Sequence, residues 1–223
     1  MRDRFVALSF LVMLTACGGG SGSGGSAMPP GAGPTPTPNP QATFYEPLAN
    51  GDSWTYTCRD IKGGGENGGQ PFTITDSVIG TTMVSGKAVF EFSLQIPQVP
   101  SAPLRVNTEV MLVNNDAQGN LTLFGYLVNG NVQPILPALI VAAITPNPGA
   151  AFNYTGPDGA TISRVFFGDV PTNPTPLGVF QVADYEESNA THDYGYARGV
   201  GIAEEDHGPN LEVDCLITSV TLH

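Results

Sequence analysis

The chain has 223 residues, among them 28 Gly and 20 Pro, and its 20 acidic against 8 basic side chains give a formal net charge of −12. A chain this acidic repels phosphate backbones and anionic lipid surfaces, which argues against nucleic acid as a partner. No run of about 18 apolar residues occurs, so no segment reads as a transmembrane helix.

Arg2 and Arg4 form a short positive region ahead of the apolar stretch Phe5 to Leu14. Ten apolar residues are too few to span a bilayer and suit the hydrophobic part of an export signal. The stretch ends in Leu14-Thr15-Ala16-Cys17, which resembles the lipobox of bacterial lipoproteins. The plainer reading is an ordinary signal peptide with a chance cysteine. The lipobox resemblance implies cleavage after residue 16 and acylation of Cys17, whose thiol accepts the lipid. Several acyl chains on one cysteine exceed what stable anchoring needs. Gly18, with no aspartate at that position, implies the outer membrane of the cell envelope. Cleavage removes two basic residues and one acidic residue, which leaves a mature charge of −13.

Residues 17–43 form the lipidated cysteine and a tether. After Cys17 the tether has no charged or aromatic side chain, so it cannot bury enough surface to offset the entropy of ordering and is expected to be disordered. Its first half is Gly/Ser-rich, and Pro34, Pro36, Pro38 and Pro40 stiffen the second. A flexible chain of this length spans on the order of 30 Å.

From residue 44 to 223 the pattern is that of one all-β, antiparallel domain. Segments rich in Val, Ile, Thr, Tyr and Phe alternate with Gly, Pro, Asn and Asp clusters. Strands are expected at 54–58, 72–79, 88–96, 109–114, 120–128, 161–167, 178–185, 193–203 and 211–222, with a hairpin loop at 115–119. The apolar run Ile135 to Ile144 is the one place where a helix could hide. Asn50 to Thr57 also echoes Pro148 to Thr155 at an offset of 98 residues: Gly51 matches Gly149, Trp54 matches Phe152 and Tyr56 matches Tyr154. Two related β-halves closing around one core would produce such an echo.

Cys58 and Cys215 remain once Cys17 is lipidated. Export places them in an oxidising compartment, where an even pair reads as a disulfide. Two free thiols on a metal are the competing reading. Alternation sets Cys58 on the face of Trp54 and Tyr56, and Cys215 on the face of Val213 and Ile217.

Gly51-Asp52-Ser53 invites comparison with the nucleophile block of GDS-type hydrolases. It reads more simply as a turn feeding a strand, since no helices alternate with strands here. His192, Asp193 and His207, beside Glu204-Glu205-Asp206, are weak candidates for metal ligands. Residues 204–208 read equally as a polar hairpin turn, and Asp184, Glu186 and Glu187 as a solvated strand end. The residues suggest no cofactor.

Two longer segments carry a resemblance. Tyr45 to Tyr56 (YEPLANGDSWTY) and Tyr194 to Glu205 (YGYARGVGIAEE), with Gly178 to Val182 between them, resemble a set of uncharacterised bacterial envelope lipoproteins. Those proteins open on PLxxGxxWxY and close on YAxGVGxV. This chain departs from them at Ala203, where a larger aliphatic is usual, and at Arg198, where proline is common. The resemblance implies a curved antiparallel sheet or partly open β-barrel or sandwich with no established activity. Gly199 and Gly201 would then permit a kink or bulge.

The expected function is a non-enzymatic, membrane-anchored lipoprotein that binds an apolar ligand or an envelope protein. A purely structural or assembly role is the alternative, and a hydrolase or metal protein is less favoured. Ile135, Leu136, Leu139, Ile140 and Ile144 are candidates to line an apolar ligand cavity or lie over its mouth, with ordinary core as the plainer reading.

Overall fold

The computed structural model describes residues 44–60, 70–98, 105–156, 159–187, 192–208 and 213–223, which belong to one compact unit. The expected signal, Cys17 and the expected tether lie outside these residues. Twelve strands follow in chain order: β1 (Ser53–Asp60), β2 (Phe72–Val84), β3 (Lys87–Gln98), β4 (Arg105–Asn115), β5 (Leu121–Val128), β6 (Asn131–Ala142), β7 (Ala151–Thr155), β8 (Thr161–Thr175), β9 (Gly178–Glu187), β10 (His192–Ala197), β11 (Gly201–His207) and β12 (Val213–Thr221). The first six strands form one antiparallel meander and the last six a second. Pairing of β1 with β12 joins them into one sheet of order β6-β5-β4-β3-β2-β1-β12-β11-β10-β9-β8-β7.

Period-two alternation rolls this sheet around a main core, while Val84, Val89 and Leu112 form a smaller apolar cluster with Phe124 and Leu127. Trp54, Tyr56 and Cys58 point inward from β1, Phe92 and Leu94 from β3, and Val213, Cys215 and Ile217 from β12. The outermost strands, β6 and β7, come together without a backbone ladder, so the barrel is nearly closed. Side chains of the second meander reach the end of β6. The Tyr185 hydroxyl donates to the carbonyl of Ala143 and accepts from its N–H, while Arg164 and Arg198 donate to the carbonyls of Val141 and Ile144.

The repeat in the sequence is a repeat in the structure. Each half opens on the same turn. The Gly51 N–H donates to Val78 O, and Asp52 N–H to Ala49 O. The Gly149 N–H donates to Phe166 O, and Ala150 N–H to Asn147 O. Gly51 and Gly149 have φ of 93° and 80°, in the left-handed region that favours glycine. Trp54 and Phe152 then start β1 and β7, and both pack into the core. Cys58 and Cys215 lie opposite each other on the β1–β12 ladder and are bonded, so the seam that joins the halves is covalently tied.

Several elements differ from the sequence reading. Residues 135–144 contain no helix; residues up to Ala142 belong to β6, whose first half is exposed. The long segment 193–203 divides at a turn, where the Val200 N–H donates to Ala197 O. Gly199 and Gly201 therefore serve a chain reversal, not a kink within one strand. Residues 204–207 are not a turn but lie within β11.

Gly201 is also fixed by space. Its φ is +106°, and a Cβ there would stand 2.8 Å from Trp54 Nε1, the atom that donates to Val200 O. Gly201→Ala is expected to cost about 2 kcal/mol or more from backbone strain and displacement of the indole. A thermal melt of the variant reads this as a lowered Tm. An unchanged Tm would mean that the turn and Trp54 move independently.

Candidate functional site

The segment preceding β1 crosses the barrel end at which β1 begins and the β10–β11 turn lies. Phe44 O accepts from the Gly199 N–H, and Glu46 O accepts from Asn115 Nδ2 on β4. The side chains of Tyr45 and Glu46 are buried in the barrel. Beside this segment opens a cleft of about 360 Å³ lined by Tyr45, Asp169, Gln181, Val182, Ala183, Tyr196 and Arg198. The Tyr45 and Tyr196 rings stand 5.8 Å apart, and the Arg198 guanidinium lies 5.6 Å from the Tyr45 ring. Burial pushes the Tyr45 hydroxyl up to about 12, with the Arg198 charge opposing and the Asp169 charge adding to that shift. The cleft thus sets charged side chains beside aromatic ones.

Tyr196 connects the cleft to a buried charge network. Its hydroxyl accepts from Arg164 Nη1 at 3.2 Å, and Arg164 Nη2 donates to Glu187 Oε1 at 3.3 Å and to the Tyr154 hydroxyl at 3.2 Å. The Tyr154 hydroxyl in turn donates to Glu187 Oε1 at 2.7 Å. The guanidinium also stacks 4.4 Å from the Tyr194 ring. His192 Nδ1 reaches Glu187 Oε2 at 3.0 Å. Burial alone would raise the Glu187 carboxyl, but the hydrogen bond from His192 and the Arg164 charge hold it at about 2.

A second buried set is almost wholly acidic. Glu46, Asp76 and Glu205 are all within 1 % of complete burial, and His207 lies beside them with Nε2 2.8 Å from Glu205 Oε2. Asp76 accepts from the Gln95 N–H, and burial together with the neighbouring Glu205 carboxyl pushes it well above the usual carboxylate range. Burial raises all three acids, Glu205 to about 7, and their mutual charge adds to the shifts of Glu46 and Asp76. Burial lowers His207 to about 3, so its imidazole is neutral.

These shifts set a direction for stability against pH. Glu205, at about 7, and Asp193, raised to about 9 by burial and by Asp184, bind protons in the folded chain that the unfolded chain has already lost. Stability therefore falls as pH rises from about 6.5 to 9. His207 and Glu187 have the opposite sign, but their windows lie below that range, between the ordinary values and about 3 and about 2. Thermal melts from pH 6.5 to 9 are expected to show a steadily falling Tm, with a shallower slope in Glu205→Gln. A flat or rising Tm would contradict the buried acid pair.

The sequence candidates fall in several places. Ser53 starts β1, paired with Ser77 and Thr221, while the His223 ring lies 3.5 Å from Asp52 rather than on the serine. His192 and His207 are cross-strand partners with rings 5.3 Å apart on the inner face. Asp193 follows His192 on β10 and faces outward among Asp184, Glu204 and Asp206, so it cannot join the two histidines around one ion. The carboxylates that do converge are Glu204, Asp206 and Asp214, on the outer face of β11 and β12. Glu187 is buried and ion-paired, not part of a solvated strand end. Of the residues expected to line a cavity, Leu136 is 69 % exposed, Ile135 and Leu139 pack against the core, and Ile140 is half-buried. Ile144 is buried and meets Arg198 through its carbonyl. None of the five lines the cleft.

Sequence reasoning missed Arg164, Glu46, Asp76 and the cleft residues Asp169 and Gln181. Parity could have found Arg164, which shares the inward face of Phe166, and Asp76, which lies between the inward Ile74 and Val78. No local pattern marks the cleft, because four separate segments build it.

No protein-family model matches the chain, and no curated protein is significantly similar to it. Two crystal structures resemble the fold. One is of a protein inferred to be exported, with a YmcC-like fold, from Bacteroides fragilis, at 14 % identity and a TM-score of 0.46. The other is of a protein inferred to be a lipoprotein, from Parabacteroides distasonis, at 13 % identity and a TM-score of 0.43. Each match covers 81 % of this chain and 100 % of the other.

Proposed function

We propose that the chain is a non-enzymatic lipoprotein of the bacterial envelope, anchored at the outer membrane through Cys17, whose β-barrel binds a small ligand. The observation that carries the binding reading is the cleft of about 360 Å³, large enough for a small organic molecule and lined by aromatic, amide and charged side chains. The Cys58–Cys215 bond supports an exported, oxidising location. The export signal and the Leu14-Thr15-Ala16-Cys17 motif support the anchor. In this reading the ligand is amphiphilic rather than wholly apolar, because the cleft carries Arg198 and Asp169.

A partner-binding or assembly role is the second reading. The edge strand β6 favours it, since residues 131–134 are exposed and Leu136 projects into solvent.

The anchor is tested by feeding an alkyne-tagged fatty acid to cells that express the wild type or Cys17→Ser. The wild type is expected to label and to sediment with membranes. The variant is expected to lose the label and leave the membrane fraction. Equal labelling of both would reject acylation at Cys17.

A further inference from the structure

The charges in the cleft define its ligand more closely, on the reading that the cleft is a ligand site. Arg198 is the one cation among the lining residues. One of its N–H groups goes to Ile144 O and its face lies against Tyr45. Asp169, from β8, lines the cleft and is exposed. Among the described residues Arg198 and Asp169 form no ion pair with each other.

A monoanion would meet Arg198 but also Asp169 and a domain of strongly negative net charge. A monocation would meet the reverse conflict at Arg198. A molecule carrying both charges satisfies both groups at once, and its uncharged body can occupy the rest of the cleft. Gln181 adds an amide that can donate to or accept from a peptide-like group. We propose that the cleft binds a small zwitterion with an apolar or aromatic side group, of amino-acid or dipeptide size. Its carboxylate sits on Arg198 and its ammonium on Asp169.

The test uses the full, detergent-solubilised chain and three probes: the dipeptide Ala-Phe, its N-acetyl form and its C-terminal amide. Calorimetric titration is expected to show the free dipeptide binding about tenfold or more tightly than either singly charged form. Arg198→Gln, which keeps an amide to meet Ile144 O, is expected to weaken the free dipeptide about tenfold and remove its advantage over the amide. Asp169→Asn, at an exposed position, should remove its advantage over the N-acetyl form. If a singly charged probe binds as tightly as the dipeptide, and Gln181→Trp, at an exposed lining position, blocks that binding, the zwitterion assignment falls while the cleft remains a ligand site. If none of the probes binds at millimolar concentration, the zwitterion assignment also falls. In that case a thermal shift with unrelated amphiphiles decides whether the cleft binds ligands at all.

Discussion

Arg164→Met is expected to destabilise the barrel by about 3–5 kcal/mol, because it leaves the Glu187 carboxylate buried without its cation. Arg164 is 3 % exposed and Glu187 4 %, so solvent cannot take over the interaction. The substitution also removes donors to the hydroxyls of Tyr154 and Tyr196 and the cation stacked on Tyr194. For a domain of this size the loss corresponds to a Tm lower by on the order of 10 °C. The double variant Arg164→Met/Glu187→Leu removes the isolated charge and is expected to be more stable than the single variant. Denaturant titration of both checks the ordering. A single variant as stable as the wild type would mean that the ion pair is open to water, and a double variant worse than the single would mean that packing outweighs charge.

The second large effect belongs to the seam between the two halves. Cys58 and Cys215 are 157 residues apart in sequence, and both are fully buried on the β1–β12 ladder. Cross-linking a loop of that length lowers the entropy of the unfolded chain by an amount worth about 4–5 kcal/mol. Cys58→Ala/Cys215→Ala is therefore expected to lower the denaturation midpoint strongly, with a small added cost from the space the sulfurs leave. Reduction of the wild type in denaturant followed by refolding under reductant should reproduce most of that loss. The equivalent seam of the repeat, between β6 and β7, has no ladder and is bridged by side chains. The disulfide thus ties the closed seam of a barrel whose other seam is open. A midpoint unchanged in the double variant would show that the two halves hold together without it.

Where one face of a strand meets the core and the other meets water, the sequence reads directly. Trp54, Tyr56 and Cys58 alternate inward, and the same parity turns Cys215 inward on β12. The echo between residues 50–57 and 148–155 is legible for a related reason: each half begins with the same glycine turn and inward aromatic. The division at 197–201 was not legible, because Tyr194 to Ala203 is, apart from Arg198, a run of small, aromatic and aliphatic residues. Its two glycines suit a bulge as well as a reversal. Charge misled in the same region. Glu187 and Glu205 look solvent-facing in sequence, yet they share faces with Tyr185 and His207 and point into the barrel. Their burial depends on Arg164 and Asp76, which lie farther off in the chain, and on His192, five residues beyond Glu187. The cleft is less legible still, since Tyr45, Asp169, Gln181 and Arg198 meet only after both meanders have closed.

Native mass spectrometry of the full chain, released from bacterial membranes in mild detergent, tests the central claim most directly. An anchored binding lipoprotein predicts three mass signatures: loss of residues 1–16, gain of acyl groups on Cys17, and two hydrogens fewer for the Cys58–Cys215 bond. It also predicts a non-covalent mass increment that Arg198→Gln loses. A chain that retains residues 1–16 with a free Cys17 thiol and carries no bound molecule would contradict both the anchor and the site.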